Sequence, residues 1–340
     1  MFYFYLKMRA WVLHSQGTPL EEKVHLESWP EPVPSADELL VRVKACALCR
    51  TDLHIVEGDI PAHKLPVILG HQVVGVVEKV RGKVKQFKVG DRVGIPWLNS
   101  VDESCPFCRK GQENLCQNIK FTGYDVDGGF AEYTLIKEGF AYRLPENLSD
   151  LELAPLLCGG VIGYRSFRLS EISPGENLGL YGFGSSAHII LQLALKKGIT
   201  VFARSRGKER LNLAIELGAV WAGNYQTSIP EKLQAVIIFA PSGDLVPLAL
   251  KDVDKGGRVI LAGIHMTPIP TFDYSLIYEE RLVKSVANST RQDVKDFLEE
   301  ASRLKVLPEI TVFPFEELLQ AMKDLKEGKI AGTAVLSVEK

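Results

Sequence analysis

Hydrophobic and polar positions follow two different patterns along the chain. Over the first 150 residues, short apolar runs alternate with polar positions and are interrupted by glycine and proline, which is typical of β-strands joined by turns. The clearest strand patterns cover residues 39–45, 73–80 and 131–136. This half of the sequence therefore predicts a β-rich domain.

From about residue 175 the pattern changes to short apolar runs that alternate with amphipathic helices. The strand-like runs cover residues 178–181, 199–203, 235–239 and 258–262, and helical periodicity covers residues 185–197 and 207–217. Strands alternating with helices at this spacing indicate a doubly wound parallel sheet with helices on its faces.

The last 50 residues carry two more helical patterns and a strand, at 292–304, 315–327 and 332–338. We expect this tail to pack back against the first domain, which makes the domain with the parallel sheet an insertion. The prediction is therefore an α/β protein with three sections: a β-rich domain over 1–150, a doubly wound parallel-sheet domain over 151–288, and a returning segment over 289–340.

A glycine-rich turn lies between the predicted strand at 178–181 and the helix that follows it. Gly182, Gly184 and Ala187 fit a G-x-G-x-x-A phosphate loop. The first position permits a tight turn, the second lets the backbone approach a pyrophosphate, and the third allows close packing of helix and strand. Amide groups at the start of the helix, from Ser185, would face the phosphates. The alternative is an ordinary glycine turn of an α/β domain.

The segment after the next predicted strand bears on the choice between NAD and NADP. An NAD site has an acidic residue about 20 residues after the glycine turn, but this chain reads Arg204-Ser205-Arg206 there. Two guanidinium groups beside a serine favour NADP, because they can hold its 2′-phosphate. The alternative is that both arginines are solvated and that NAD binds through backbone contacts.

Three potential metal ligands, Cys49, His71 and Cys158, come from separated segments. Two thiolates and one imidazole leave one tetrahedral position of Zn²⁺ open, which is typical of a catalytic zinc site. Taken one at a time, His71 fits a core histidine and Cys158 fits a small core side chain. A Lewis acid and a dinucleotide site on one chain predict hydride transfer.

A second set of ligands lies close together in the sequence. Cys105, Cys108 and Cys116 have the spacing C-x₂-C-x₇-C, and Asp102 stands three residues before the first of them. Four ligands fill the shell of a zinc ion and leave no substrate position, so this set predicts a structural zinc. The alternatives are an empty lobe, a disulfide with a spare thiol, or Asp102 as a simple surface acid.

Composition narrows the classes of partner. The chain has 340 residues, 46% of them apolar and 24% charged, with a formal net charge of −2. This balance gives no electrostatic reason to expect nucleic acid or an anionic membrane as partner, and no apolar run approaches the roughly 20 residues that span a bilayer. Six sparse cysteines and an aromatic start too short for a signal peptide predict a cytoplasmic protein.

These motifs resemble those of the zinc-containing alcohol dehydrogenases of the medium-chain dehydrogenase/reductase family. The resemblance covers nearly the whole chain and rests on C-R-T-D-L-H, G-H-Q-x-x-G, V-G-D-R-V-G, the cysteine lobe, G-G-F-A-E-Y, A-P-L-L-C and G-F-G-S-S-A-H. It implies a GroES-like catalytic domain, a Rossmann domain, two zinc ions per chain and NAD(P). It also implies reversible oxidation of an alcohol to an aldehyde or ketone by a homodimer or homotetramer.

The resemblance also implies a role for each matching residue. The catalytic zinc ligands are Cys49, His71 and Cys158, and the structural ligands are Asp102, Cys105, Cys108 and Cys116. The remaining roles are a carboxylate that orients the ligand imidazole (Asp52), a hydroxyl beside the substrate oxygen (Thr51), the outer end of a proton relay (His54), a cofactor phosphate contact (Arg50) and substrate-pocket walls (Ile60 and Trp97). Gln72 departs from the family, which has a glutamate there.

Two rival functions stay open at this point. A zinc-free quinone or enone reductase of the same fold needs no Cys₂His set, and a non-catalytic scaffold binds zinc and nucleotide without turnover. The mixed pocket walls Trp97 and Ile60 favour an apolar primary alcohol or aldehyde as substrate.

Overall fold

The fold is given by a computed structural model, which describes residues 6–338. Most of the aromatic start, residues 1–5, therefore lies outside the described residues. The chain divides into two compact units. The first comprises the described residues up to Cys158 together with Asn288–Glu299 and the chain from Ile310 onward, and the second comprises Gly159–Ala287 and Glu300–Glu309.

The first unit is built mainly from strands. Its elements up to the unit boundary are β1 (Lys7–Leu13), β2 (Val24–Pro30), β3 (Glu38–Ala47), α1 (Arg50–Glu57), β4 (Val67–Ile68), β5 (Val73–Val80), β6 (Arg92–Ile95), β7 (Leu98–Ser100), α2 (Pro106–Arg109), β8 (Lys120–Phe121), β9 (Tyr133–Lys137), β10 (Tyr142–Arg143) and α3 (Asp150–Leu153). Short 3₁₀ turns at Leu20–Glu22, Glu113–Leu115, Glu138–Phe140 and Ala154–Leu157 connect them.

The second unit alternates strands and helices. Its elements are α4 (Gly159–Leu169), β11 (Asn177–Tyr181), α5 (Ser185–Lys196), β12 (Thr200–Arg204), α6 (Lys208–Glu216), β13 (Trp221–Gly223), β14 (Leu233–Ile238), α7 (Leu245–Asp252), β15 (Val253–Leu261) and β16 (Leu282–Ser285), with a 3₁₀ turn at Tyr274–Leu276. The chain ends with α8 (Arg291–Leu304), β17 (Ile310–Pro314), a 3₁₀ turn at Phe315–Glu317, α9 (Leu318–Glu327) and β18 (Thr333–Ser337).

The main sheet of the first unit has the strand order β10-β6-β5-β3-β18-β17, with β9 also paired to β3. The central pair, β3 and β5, is antiparallel, and its register shifts twice. Alternating inward positions such as Val41 and Val43 are almost fully buried, which is what a period of two produces in a half-buried strand. A smaller sheet of order β2-β1-β4 packs into the same core.

The sheet of the second unit has the order β13-β12-β11-β14-β15-β16, and every neighbouring pair is parallel. Its central strands are buried on both faces, since Leu178, Leu180 and Val236 are fully inaccessible. The strand order reverses between β11 and β14, and ligands of open α/β sheets bind at such a point. The predicted doubly wound sheet is confirmed.

Several sequence expectations need adjusted bounds. The first unit runs to Cys158 rather than to residue 150, and residues 300–309 group with the second unit rather than returning with the rest of the tail. Helix α8 therefore contributes residues to both units. Strand β15 starts at Val253, earlier than predicted, with an irregularity in its pairing. Among the described residues, no helix has the length and apolar character needed to cross a bilayer.

Candidate active site

The three dispersed ligands, Cys49, His71 and Cys158, are close together in space. One ligand atom from each lies within 4.8 Å of the others. Cys49 directly precedes α1, His71 lies between β4 and β5, and Cys158 is the last residue of the first unit before the second begins. The described chain thus brings together the Cys₂His set that the sequence predicted.

Helix α1 fixes the position of Cys49, which is its N-cap. Asp52, fully buried, accepts a hydrogen bond from the Cys49 amide at 2.8 Å through Oδ2. Its other oxygen, Oδ1, accepts from the Gly70 amide at 3.3 Å and lies 3.1 Å from Nδ1 of His71. One carboxylate therefore holds the segments of two ligands, and the helix N-terminus favours a thiolate at Cys49.

His71 is fully buried and has one ring nitrogen to spare. Nδ1 is engaged by Asp52, while Nε2 has no hydrogen-bond partner among the described residues. Burial by itself lowers the pKa of His71, but Asp52 and the Cys49 thiolate outweigh burial and raise it to about 10. A buried nitrogen without a partner, beside two sulfurs, fits a metal ligand, because a bound cation replaces the proton.

The two sulfurs of this cluster shift each other's pKa in opposite directions. A hydrogen bond from the Cys158 thiol and the nearby His71 ring lower the pKa of Cys49 well below its usual value. The same hydrogen bond to Cys49, together with burial, raises the pKa of Cys158. Deprotonation of both sulfurs needs a further positive charge, which a divalent metal ion supplies.

The residues expected to handle the proton lie on α1. Sγ of Cys49 lies 3.5 Å from the Thr51 hydroxyl, so Thr51 lies next to the metal ligand set. Arg50 is exposed on the same helix. His54 is only 5% exposed, and its Nδ1 lies 2.7 Å from Oδ2 of Asp59, a residue that the sequence reasoning missed. The available signal was an acid directly after the helix-ending Gly58.

Aromatic side chains lie against the cluster. The Trp97 ring meets the His71 ring edge-on, with 4.6 Å between the ring centroids. The Phe121 ring stacks on the Trp97 ring, with 4.8 Å between the centroids. Tyr124 stacks next to them and donates its hydroxyl to the Pro61 carbonyl at 2.5 Å. Phe121 and Tyr124 were not predicted as pocket walls, since nothing in their spacing indicates a shared surface.

The second ligand set also comes together, with ligand atoms of Asp102, Cys105, Cys108 and Cys116 within 4.8 Å of one another. The Asp102 carboxylate accepts from the Ser104 and Cys105 amides, both at 2.9 Å. These amide donors lower the pKa of Asp102, so it is an anion. Partial burial and the neighbouring sulfurs raise the pKa of Cys108 to about 12. A bound cation would reverse this shift and keep the sulfur as a thiolate. The donor set fits a closed zinc site.

The cysteine lobe, residues 102–116, is attached to the start of α8 by a partly buried ion pair. Arg291, the first residue of α8, donates from Nε to Glu113 Oε1 at 3.0 Å and from Nη1 to Glu103 Oε1 at 2.9 Å. The Arg291 amide donates to the same Glu113 oxygen at 2.8 Å. Glu113 is 8% exposed, so this contact fixes the lobe to the rest of the first unit.

The glycine turn joins β11 to α5 as predicted. Gly182 has a φ of +89°, and a Cβ there would lie 2.6 Å from the Ala240 amide nitrogen, so only glycine fits. A Cβ on Gly184 would meet nothing within 4 Å, which leaves open space over the start of α5. Ala187 is fully buried between helix and sheet. Open space at a helix N-terminus fits a phosphate group.

The expectation that Arg204 holds a cofactor phosphate is wrong. Its side chain is 1% exposed, and Nη1 donates to the carbonyls of Asn224 and Thr227 at 2.7 and 2.6 Å. Nη2 donates to Asp252 at 3.1 Å. The guanidinium also lies over the Tyr181 and Trp221 rings. As the last residue of β12, Arg204 faces this interior network.

The neighbouring positions differ from Arg204. The buried Ser205 hydroxyl accepts from the Phe183 amide of the glycine turn at 3.4 Å, so it supports the turn. Arg206 is exposed. Of the three residues predicted for the ribose end of the cofactor, Arg206 alone presents a charged side chain to solvent.

Comparison with known proteins is consistent with this arrangement of two metal clusters and a nucleotide turn. Residues 35–146 match the family model described as alcohol dehydrogenase GroES-like domain, and residues 187–303 match the one described as zinc-binding dehydrogenase. The chain is 45% identical to a probable alcohol dehydrogenase, AdhA, of Mycobacterium tuberculosis, over 97% of both chains. It is 38% identical to an alcohol dehydrogenase of Geobacillus stearothermophilus, over 98% of this chain and 100% of that one.

Solved structures agree with the sequence relatives. A cinnamyl alcohol dehydrogenase of Sorghum bicolor superposes with a TM-score of 0.90 at 25% identity, covering 98% of both chains. An NAD-dependent alcohol dehydrogenase superposes with a TM-score of 0.89 at 26% identity, over 98% of this chain and 100% of that one.

The fold and the open Cys₂His set define a zinc-type dehydrogenase built from a GroES-like and a Rossmann-type domain. The chain belongs to the zinc-containing alcohol dehydrogenases of the medium-chain dehydrogenase/reductase family. It is an NAD(P)-linked oxidoreductase, and the zinc-free quinone or enone reductase is not favoured.

Proposed function

We propose that the protein catalyses reversible hydride transfer between a primary or secondary alcohol and NAD(P) at a zinc ion held by Cys49, His71 and Cys158. The observation that carries the proposal is the buried Nε2 of His71, which lacks a protein partner among the described residues and faces two sulfurs. Zn²⁺ at such a site acts as a Lewis acid that acidifies an oxygen ligand, lowering the pKa of water from 15.7 to about 7.

The side chains of α1 then handle the proton and orient the metal ligands. Asp52 keeps Nδ1 of His71 protonated, so that Nε2 would be the nitrogen available to hold the zinc. The Thr51 hydroxyl, beside Cys49, accepts the proton that the alcohol loses and passes it toward His54. Trp97, beside His71, and the partly buried Ile60 line the substrate pocket and favour an apolar alcohol or aldehyde.

The experiment that tests this proposal combines metal analysis with activity. We expect about two zinc ions per chain, one in each cluster, and absorbance changes of the nicotinamide with benzyl alcohol or a short aliphatic alcohol. About one zinc per chain and no turnover with any alcohol, aldehyde or ketone would contradict it. Turnover of a quinone or enone alone would indicate the rival reductase.

For the cofactor we propose NADP over NAD. The turn of Gly182, Gly184, Ser185 and Ala187 holds the pyrophosphate, with Arg50 as a further phosphate contact. Ser205 brings no carboxylate to repel a 2′-phosphate, and the exposed Arg206 pairs with it. Kinetics with NADH and NADPH at matched concentrations test this preference.

We propose a second zinc, structural, held by Asp102, Cys105, Cys108 and Cys116. The amide donors that aim the Asp102 carboxylate support its role as the fourth ligand. Dialysis against a moderate chelator should remove this zinc with a loss of thermal stability, and the metal content per chain reports it.

We propose a homodimer or homotetramer in the cytoplasm. Strand β16 is an edge of its sheet, and the exposed Leu282, at 39%, lies on it. Tyr274 and Tyr278 nearby are 72% and 61% exposed, and exposed apolar surface of this kind marks protein interfaces. All six cysteines are free thiols, which suits a reducing compartment. Light scattering with size exclusion measures the oligomer.

A further inference from the structure

His54, which the proposed function places at the outer end of the proton relay, is buried. The whole residue is only 5% exposed, so its ring is surrounded by protein. Its Nδ1 lies 2.7 Å from Oδ2 of Asp59, whose side chain is 43% exposed. The buried base therefore has a carboxylate partner at the protein surface.

The turn that ends α1 produces this contact. Gly58 has a φ of +90°, and its amide donates to the His54 carbonyl at 3.1 Å. The Ile60 amide donates to the same carbonyl at 3.3 Å. A left-handed glycine at this position reverses the chain after the helix, so Asp59, five residues after His54, returns to its side.

A half-buried side-chain amide holds the reversed segment in place. Nε2 of Gln16 donates to the Ile55 carbonyl at 2.6 Å and to the Ile60 carbonyl at 2.7 Å. Its Oε1 accepts from the Ala62 amide at 3.0 Å. Gln16 thus ties the last turn of α1 to the residues after Asp59, which limits where the Asp59 carboxylate can lie.

Helix stability does not explain an acid at this position. The C-terminus of a helix carries partial negative charge, so a carboxylate directly beyond it is unfavourable. Asp59 lies one residue beyond the Gly58 cap of α1, and its carboxylate contacts the His54 ring. The same helix already uses this device once, since Asp52 engages Nδ1 of His71 at 3.1 Å.

We propose that Asp59 is the positioning residue of the proton relay. It accepts a hydrogen bond from Nδ1–H of His54, which fixes one tautomer and leaves Nε2 with the lone pair. In the oxidising direction the alcohol loses a hydride to NAD(P)⁺ and a proton that ends on Nε2. Asp59 stays ionised and pairs with the imidazolium; in the reducing direction the proton returns from Nε2. This inference rests on the proposed function, because the proton relay through His54 is part of that function.

The first test reads the tautomer without any turnover. Protein labelled with ¹⁵N-histidine, free of cofactor, gives the ring nitrogen shifts of His54, assigned with His54→Gln. We expect the Nδ1–H tautomer in the wild type and its loss or mixing in Asp59→Asn, whose amide can donate to Nδ1. An Nε2–H tautomer in the wild type, or an unchanged ring in Asp59→Asn, would overturn the proposal.

The second test is kinetic. Removal of a group that orients a functional imidazole costs about 10–100-fold, so we expect kcat for alcohol oxidation to fall by that factor in Asp59→Asn. The Kd of the cofactor should change less than about twofold, because a relay defect leaves binding intact. Asp59→Glu should recover part of the rate, and the solvent deuterium isotope effect should rise in Asp59→Asn.

A matched control separates relay chemistry from general loss of an ion pair. His14 Nε2 lies 2.6 Å from Glu27 Oε1 at the surface of the same unit. Glu27→Gln removes an equivalent pair and should leave kcat and the isotope effect unchanged. A kcat of Asp59→Asn equal to that of Glu27→Gln would refute the inference.

The failure of the proposed function gives a different result. If the wild type turns over no alcohol, the function is wrong, and the tautomer comparison still decides whether Asp59 positions His54. If His54→Gln loses activity while Asp59→Asn keeps it, the function stands and the inference about Asp59 falls.

Discussion

Replacement of Arg204 and Arg206, one at a time, by methionine separates two roles that the sequence assigned to both. Arg204 is buried and donates to two carbonyls and to Asp252, whereas Arg206 is exposed. Methionine keeps a long apolar side chain in each case and removes the charge. We expect Arg204→Met to lose stability and Arg206→Met to lose affinity for NADP(H).

The expected size of each effect, on Tm and on NADPH affinity, follows from the contacts of the side chain that is removed. Removal of one partner of a buried ion pair costs about 3–5 kcal/mol. Since each kcal/mol lowers the Tm of a domain of 150–250 residues by about 2–4 °C, the transition of the dinucleotide-binding unit should fall by roughly 6–20 °C. A hydrogen bond to a charged group contributes about 1.5–3 kcal/mol, so Arg206→Met should weaken NADPH binding roughly 10–150-fold.

Two measurements decide between these roles. Thermal unfolding followed by circular dichroism gives the Tm of each zinc-loaded variant, and calorimetric titration gives the Kd values of NADPH and NADH. In Arg204→Met the ratio of the two Kd values should match that of the wild type. A wild-type Tm together with a selective loss of NADPH binding in Arg204→Met would refute our reading of its side chain. Unchanged NADPH affinity in Arg206→Met would remove the support for NADP.

Three further predictions concern the metal clusters and the buried His188. Cys49→Ser should abolish turnover and lower the zinc content from about two to about one per chain, with cofactor affinity unchanged by calorimetry; wild-type activity in that variant would rule out the metal mechanism. Asp102→Ala should lose the lobe zinc faster to a chelator and lower the Tm, while Asp102→Cys should retain it; equal zinc loss in Asp102→Ala and wild type would exclude Asp102 as a ligand. Burial lowers the pKa of His188 from 6.5 to about 4. As the pH falls, the unfolded chain therefore binds a proton at His188 before the folded chain does. The stability that neutral His188 contributes is lost as the pH falls from 6.5 through 4. His188→Gln should therefore flatten the pH dependence of the free energy of unfolding in that window, and an unchanged slope would count against it.

The metal clusters could be predicted from the sequence because their chemistry restricts residue types. Few side chains bind zinc, and the short spacing from Cys105 to Cys116 limits how the loop can close. The glycine turn was predictable for a similar reason, since Gly182 adopts a φ of +89° that other residues rarely reach.

Side-chain direction at the end of a strand was not predictable in the same way. Arg204 and Arg206 lie two residues apart, and nothing in their identities indicates that the first is buried among Tyr181, Trp221 and Asp252. The result depends on where β12 ends, which is the least certain part of a pattern-based prediction. Asp59 was missed because its contact with His54 depends on the turn at Gly58 rather than on helical spacing.

The short distance between two lobe thiols bears on how the enzyme must be handled. The sulfurs of Cys105 and Cys108 lie 3.5 Å apart. The S–S bond of a disulfide is about 2.05 Å long, so a small movement would bring the two sulfurs within bonding distance. Zinc keeps these sulfurs as ligands, so a preparation exposed to EDTA and air is open to cross-linking there. Refilling with zinc after such oxidation then fails unless a reductant is added first, and purification buffers for this enzyme need a thiol reductant and no strong chelator.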